Sequence, residues 1–493
     1  MNPSTGFAIL RNVRWTVPAG LLEAAVKAGA VIVLARLLGP TEFGLLLLVF
    51  SIIAVLTLVA DVGVSAGVAR RLSEAPASAR STLKVGSRVL AVLLVLVAGA
   101  VVVFTEALAS ALDAPQLVGL RWIMVALLSL AVGRRFVVKF FEGLGRADLA
   151  SRVSVLIGWA PWLLAVAVVL WISPQADWAL TAHAGGGILV VTALILVLRR
   201  VMRKDVGKGE VKTSFRQLAR YALPMAATAA GFLIYTQADI LLVQYFLSTE
   251  EVGIYGTAVR LMDLLHVPAA AVGASAAVYF VGSARTAAAG AQDLFHLVTR
   301  GLLLVYLPTG AFLVLFGSEV VELVFGSAYV EAGVIVAIYV PFMVFKSLAG
   351  TYSLALDYLG YATLRAVLVT ASASANILLN LILIPRYGIV GAAVATLVTY
   401  VPLGAFYWWM MARTSDTSPI PPRIGRLVAA TSVAIGLVLA VATWTDIHIV
   451  LLALLFLITY VPLALGLETI TREEIRRLIA LASSSRTGHD PGR

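Results

Sequence analysis

Apolar runs of about 20 residues, each closed by a charged or Gly/Pro-rich break, recur about fourteen times along this 493-residue chain. That is the length a helix needs to cross a hydrocarbon core roughly 30 Å thick. Lipid offers no partner to a free backbone N–H or C=O, so such runs cross as helices. They lie near residues 16–37, 44–68, 85–105, 118–140, 153–172, 178–198, 218–246, 254–282, 297–316, 332–352, 365–384, 388–411, 425–445 and 448–468. The seventh and eighth are long enough to tilt or to extend beyond the bilayer. Only 13% of residues are charged, about half of the roughly 25% typical of soluble domains, so no soluble surface can be covered. The predicted fold class is therefore all-α, a polytopic inner-membrane protein with about 14 transmembrane helices. Soluble enzymes and disordered chains are excluded, and outer-membrane barrels do not carry such unbroken runs.

The net charge of +11 suits nucleic acid or acidic lipid, and the placement of the cations decides between them. With a cytoplasmic N-terminus, the inner connections hold Arg70, Arg71, Arg80 and Lys84, then Arg134, Arg135, Lys139, Arg146 and Arg152, then the cluster from Arg199 to Arg220. Nearly all of the 37 cations fall inside by this reading; Arg36, Arg121 and Arg386 face out, and Lys27 and Arg260 lie within the membrane. Outer segments are acidic, with Glu250, Glu251, Glu319, Glu322, Glu331 and Asp446. This is the positive-inside pattern of a multi-pass cell-membrane protein with both termini cytoplasmic. The basic excess is an orientation signal with anionic-lipid contact, and nucleic acid is not an expected partner.

Several chemistries drop out. Cysteine is absent, which removes disulfides, thiolate metal sites and thiol nucleophiles. The five histidines, His183, His266, His296, His448 and His489, form no ligand spacing. GLGR at 143–146 sits in an inner loop and no GxxxxGK[ST] occurs, so ATP is not a direct fuel. The N-terminus lacks the layout of a secretory signal, and the first span is expected to be retained. Pro18, Pro161, Pro224, Pro268, Pro308, Pro341, Pro402 and Pro462 fall in or near spans as kinks, and the sequence does not select which of them bend.

The largest inner loop, RRVMRKDVGKGEVKTSFRQ, reads as a solvated linker that leaves six helices before it and eight after. A short internal repeat accompanies that division: LLGPTEFG at 37–44 aligns without gaps with FLSTEEVG at 246–253, sharing leucine, glutamate and glycine after the first and seventh helices. Parallel repeats about an axis normal to the membrane are a recurring transporter plan, with the substrate site at the repeat interface.

The stretches VLARLLGPTEFGLLLLVFSI (33–52), DVGVSAGVARRLSE (61–74), QADILLVQYFLSTEEVGIYGTAVRL (237–261) and NLILIPRYGIVGAAVATLVTY (380–400) resemble the signature segments of the polysaccharide (Wzx-type) flippases, in the multidrug/oligosaccharidyl-lipid/polysaccharide exporter superfamily. The resemblance implies two six-helix lobes around a central cavity plus two extra C-terminal helices. The expected organisation is an N-terminal lobe at 1–200, a cytoplasmic linker at 201–216, a C-terminal lobe at 217–412, helices thirteen and fourteen within 413–470 and a cytoplasmic tail at 471–493.

Ionisable residues inside a span are expensive and face a cavity or a partner. Glu23 and Lys27 are four apart on the first helix, hence on one face, with Lys27 near mid-membrane. They read as a cationic group in a hydrated cavity with a titratable neighbour; an internal ion pair or a snorkelling lysine is the alternative. Arg260, Asp263 and His266 are spaced at three on the eighth helix and form a second polar stripe, for which a salt bridge internal to the lobe is the alternative. In the related lipid II flippases, arginines on the first, second and eighth helices line the cavity and meet the anionic head group. Lys27 and Arg260 resemble two of these, whereas the second helix offers no basic residue before Arg70 and carries Asp61 instead.

Asp239 on the seventh helix, Asn376 and Asn380 on the eleventh and Thr396 on the twelfth are oxygen donors, the ligand type a hard cation prefers. Asn376 and Asn380 share one helical face. The resemblance to the lipid II flippase branch implies a sodium site here, with Asn380 standing where that branch has a carboxylate; interhelical hydrogen bonding is the alternative reading.

The expected function is a flippase moving a lipid-linked oligosaccharide, a polyprenyl-pyrophosphate-linked glycan, by alternating access. No cofactor is expected beyond a coupling ion, sodium or protons, and the expected partners are the cargo, the bilayer and polysaccharide assembly proteins. Lipid II transport and multidrug or cation antiport are the rival transport functions. A membrane polysaccharide polymerase or ligase would need a large outer loop, and the longest outer stretch, 317–331, is short.

Overall fold

The computed structural model describes residues 3–204, 211–283, 288–445, 447–469, 471, 474 and 476. Asp446, residues 205–210 of the linker and most of the tail at 471–493 lie outside the described residues. Among the described residues all extended regular structure is helical. In chain order the α-helices are α1 (Pro3–Asp61), α2 (Val64–Glu74), α3 (Ala79–Ala111), α4 (Gln116–Gly119), α5 (Arg121–Gly143), α6 (Ala147–Ile157), α7 (Ala160–Trp171) and α8 (Ala176–Lys204). There follow α9 (Phe215–Phe246), α10 (Thr249–Ser283), α11 (Ala288–Phe325), α12 (Ala332–Leu356), α13 (Ala362–Thr414), α14 (Ile424–Trp444) and α15 (Ile449–Gly466).

Two of these helices each hold two spans. α1 breaks at Gly39 (φ 74°) and α13 at Gly388 (φ 59°), both in the left-handed region that glycine enters without a Cβ penalty. Splitting them there, joining α6 to α7 and leaving aside the short α2 and α4 gives fourteen long segments among the described residues, in the order of the apolar runs. Nine stretches of the described residues are long and apolar enough to cross a membrane. Many helices overrun their apolar runs: α3 has 33 residues, about 50 Å at 1.5 Å per residue, so it continues past the hydrocarbon core. Trp171 (83% exposed) and Trp444 (87% exposed) stand at span ends, where an amphipathic ring anchors at the lipid–water boundary.

The chain forms two compact units, Met1–Gly256 and Thr257–Arg493. In the first, α1 packs on α3, α5, α6, α7 and α8, and α9 packs on α1 and α2. These packing units part inside α10: α9 packs on α1 and α2, and the start of α10 meets α1 at Gly44. The end of the linker is tethered: the Thr213 N–H donates to Ser81 Oγ at 2.8 Å, and the Thr213 and Thr82 hydroxyls lie 2.8 Å apart.

In the second unit α11, α12 and α13 pack in succession, and the α14–α15 pair lies on α11. Phe312 meets Phe456 at 5.5 Å between ring centroids, and Tyr460 Oη donates to the Leu304 carbonyl at 2.8 Å. Beyond α15 a latch closes on α11: the Thr471 N–H donates to Glu474 Oε2 at 2.8 Å, and Glu474 pairs with the buried Arg300. Burial pushes the Glu474 carboxyl up, but the Thr471 N–H and the Arg300 charge outweigh it and hold it below its ordinary value. A carboxyl depressed in the folded state contributes its stability above its unfolded pKa and loses it as pH falls through the folded one. Glu474→Gln is therefore expected to cost roughly 1–3 kcal/mol near neutral pH by leaving Arg300 unpaired. Thermal unfolding of both proteins in detergent checks this, with the difference between them closing at the acid end, below about pH 4.3.

Candidate functional site

The first unit contains a cavity of about 600 Å³. Its walls come from α1 (Glu23, Phe50), α5 (Arg134, Arg135, Lys139, Glu142), α6 and α8 (His183). Arg134 Nη2 reaches Glu23 Oε1 at 2.5 Å, so the first helix carboxylate is met by α5 and not by its neighbour Lys27. Lys27 stands beside the wall, its Nζ 5.7 Å from the centre of the Trp162 ring. Trp162 in turn packs edge-on against His183 at 4.7 Å, and His183 against Phe50 at 5.0 Å. An aromatic wedge thus separates Lys27 from the cavity that Arg134 faces.

Asp61 is fully buried. It ends α1 just before Val62 and Gly63, both at positive φ, and its Oδ1 accepts the Ser65 N–H at 3.0 Å and the Ser65 hydroxyl at 2.5 Å. Its Oδ2 faces Arg135 Nε at 3.2 Å. One carboxylate therefore starts α2 and is the counter-charge of Arg135, which lines the cavity. Arg134, Arg135 and Lys139 lie on α5, inside the helix read at 118–140, and Glu23 and Asp61 are the counter-charges of the first two.

In the second unit, the α10 stripe is part of a three-charge group. Asp263 receives Arg260 Nη1 at 3.2 Å on one oxygen and Lys346 Nζ at 2.9 Å on the other. His266 Nδ1 lies 3.4 Å from the Ser347 hydroxyl. Lys346, in the middle of α12, was not singled out by the sequence. Flanked by Phe345 and Ser347 in an apolar run, it was counted with the inner cations; the depth of the run was the available signal.

The oxygen donors divide between the units. Asn376, Asn380 and Thr396 come together: Asn380 Nδ2 donates to Asn376 Oδ1 at 3.0 Å, and Asn376 Nδ2 lies 3.3 Å from Thr396 Oγ1 and 3.4 Å from Thr399 Oγ1. Both asparagines are fully buried, and Asn380 Oδ1 has no hydrogen-bond partner among the described residues. A buried amide oxygen left without a donor fits a hard cation. Asp239 belongs to the first unit, where its Oδ2 accepts Tyr255 Oη at 2.6 Å.

Comparison with known proteins places the chain. The sequence pattern described as polysaccharide biosynthesis protein matches residues 9–279. A probable low-salt glycan biosynthesis flippase, Agl15 of Haloferax volcanii, is 28% identical over 237 residues, 44% of this chain and 49% of that protein. An uncharacterized membrane protein of Methanocaldococcus jannaschii, MJ1068, is 22% identical over 235 residues, 45% of each. The matched region thus spans about half the length of these curated relatives. The fold is shared with the lipid II flippase MurJ in an inward closed conformation, with a TM-score of 0.71 at 14% identity, covering 94% of this chain and 98% of that one. An inward-facing multidrug resistance transporter of the MATE family matches with a TM-score of 0.60 at 16% identity, covering 80% of this chain and 96% of that one.

Proposed function

The chain belongs to the polysaccharide biosynthesis protein family, and from that membership we propose that it is a flippase, carrying a polyprenyl-pyrophosphate-linked oligosaccharide across the cell membrane by alternating access. It makes and breaks no covalent bond. The observation that carries this reading is the arginine-bearing cavity of the first unit. Such a cargo has an anionic, hydrated head on an apolar tail, and its phosphates need cations in a space that water can enter.

Arg134 and Arg135 fill that need differently. The partner of Arg135, Asp61, is fully buried, whereas the partner of Arg134, Glu23, has a side chain 27% exposed. A phosphate entering the cavity therefore displaces Glu23 from Arg134 while Arg135 stays in place, and a guanidinium receives phosphate through two parallel N–H donors. Lys27 adds positive potential from behind the Trp162 wedge. Arg260, with Asp263 and Lys346, is the corresponding anion-binding group of the second unit. Both termini are cytoplasmic, α14 and α15 border the lipid tail, and assembly enzymes consume the delivered glycan. The cycle is driven by the membrane potential, at about 2.3 kcal/mol per charge per 100 mV, or by sodium bound at the Asn376, Asn380 and Thr396 cluster of the second unit.

The test is reconstitution. Proteoliposomes holding a fluorescent farnesyl-pyrophosphate-linked disaccharide are treated with an impermeant quencher, and the protein is expected to move the protected pool into reach. Equal protection in protein-free vesicles would overturn the reading.

A further inference from the structure

A second, smaller cavity of about 290 Å³ lies in the first unit, between α2 and the last turns of α5. Arg70 and Ser73 of α2 face Lys139 and Glu142 of α5 across it, over the small residues Ala69 and Gly143. The two helices touch there through backbone: a Cβ added to Gly143 would lie 2.6 Å from the Ala69 carbonyl oxygen and 2.7 Å from Ala69 Cα. Lys139 and Glu142 also line the larger cavity. One ion pair, Lys139 Nζ to Glu142 Oε2 at 2.5 Å, therefore borders both spaces.

The pocket's own ion pairs lie within single helices. Arg70 Nε meets Glu74 at 2.8 Å, and the Arg70 and Lys139 side chains are 60% and 39% exposed. Exposed pairs of this kind contribute roughly 0–1 kcal/mol, so a more highly charged anion replaces their carboxylates at little cost. A diphosphate is such an anion, and it accepts parallel N–H donors from a guanidinium. Among the described residues the lining offers a sugar neither an amide nor an aromatic ring, so the pocket recognises charge and not glycan. Lys139 stands one helical turn from Arg135, about 6 Å along α5 at 1.5 Å per residue, and both line the larger cavity with Arg134. Along this row the carboxylates become less exposed, from 40% at Glu142 to 27% at Glu23 and 0% at Asp61. The outer pair is the easiest to exchange and the innermost the hardest.

We infer that the pocket between α2 and α5 is an anion-binding loading site: it takes the diphosphate of the cargo first, on Arg70 and Lys139, and passes it one helical turn along α5 toward Arg134. The inference rests on the flippase reading, which supplies the cargo and its direction of travel.

The chain has no cysteine, so Ser73→Cys puts a single thiol in the pocket wall. On the full chain in detergent, farnesyl pyrophosphate and inorganic pyrophosphate are each expected to slow its reaction with a neutral maleimide progressively with concentration. Farnesol, and sulfate at equal ionic strength, are expected to leave the rate unchanged. Adding Lys139→Gln is expected to raise the pyrophosphate concentration for half protection at least about tenfold, the loss of one charge-assisted contact, and Lys139→Arg to restore it. Arg134→Gln with Glu23→Gln changes the larger cavity alone and is expected to keep the protection. Protection by sulfate equal to that by pyrophosphate, or protection indifferent to Lys139→Gln, would overturn the site. Phosphatidylglycerol in mixed micelles distinguishes the source of the phosphate: protection equal to that by farnesyl pyrophosphate would make the pocket a seat for bulk lipid head groups and overturn loading. In proteoliposomes, Lys139→Gln is expected to raise the concentration of the fluorescent disaccharide probe for half-maximal flipping while the maximal rate holds. A lowered maximal rate at an unchanged half-maximal concentration would also overturn loading. If the wild type flips nothing, the flippase reading fails instead, while the protection measurement still decides the anion site.

Discussion

Arg134→Glu is expected to lower flipping of the fluorescent probe by at least about a hundredfold, because a charge-assisted contact worth roughly 1.5–3 kcal/mol becomes a repulsion and each 1.4 kcal/mol is a factor of ten. The substitution also leaves Glu23 facing a second carboxylate, so loss of flipping alone would not separate binding from folding. The double change Arg134→Gln with Glu23→Gln does. It removes the ion pair without leaving a charge unpaired, so thermal stability is expected to return toward the wild type while flipping stays low. A purely structural ion pair predicts recovery of both. Lys27→Glu and Arg260→Glu are expected to act in the same direction, Lys27 less strongly because Trp162 stands between it and the cavity. Normal flipping by Arg134→Glu and Lys27→Glu, at normal abundance, would remove the cavity from the mechanism.

What the sequence made legible follows the range of the forces involved. Burial of apolar runs in lipid acts span by span, so the helical class and the order of segments could be read from single stretches, including the breaks at Gly39 and Gly388 where charged or Pro-rich turns interrupt the pattern. Local spacing also placed Asn376 and Asn380 on one face, and they hydrogen-bond at 3.0 Å. Pairing across helices was not legible. Glu23 and Lys27 are neighbours on one helix, yet Glu23 turns to Arg134, which is 111 positions away. Arg134 and Arg135 looked like an orientation signal because a cation near a helix end serves topology and binding equally well in sequence. Asp61 stood out as the acidic residue of the second span, but that its contacts are those of a helix start and a counter-ion depends on Ser65 and Arg135. His183 carried no ligand spacing, and its aromatic neighbours come from other helices.

Sodium is expected to raise the thermal stability of the wild type above the level set by equal potassium, and to do so progressively with concentration. The reason is the orphaned Asn380 Oδ1: an unsatisfied buried acceptor costs about 1–3 kcal/mol, and a hard cation relieves that cost. A ligand that binds only the folded state adds about 2.7 kcal/mol at one hundred times its dissociation constant. Asn380→Leu removes the oxygen together with the Nδ2 donor to Asn376, so this variant is expected to start from a lower baseline and to be indifferent to the addition of sodium. Loss of a sodium increment that the wild type shows distinguishes a cation site from a hydrogen-bond network, in which the same change breaks the Asn376 contact and the wild type itself responds equally to either salt. Asp239→Asn separates the membership of the fourth residue. If Asp239 contributes its charge, the sodium increment disappears; if Asp239 serves only Tyr255, the increment survives with a lower baseline. Equal responses to sodium and potassium in wild type and Asn380→Leu would leave the cluster as bundle hydrogen bonds and assign the driving force to protons or to the membrane potential.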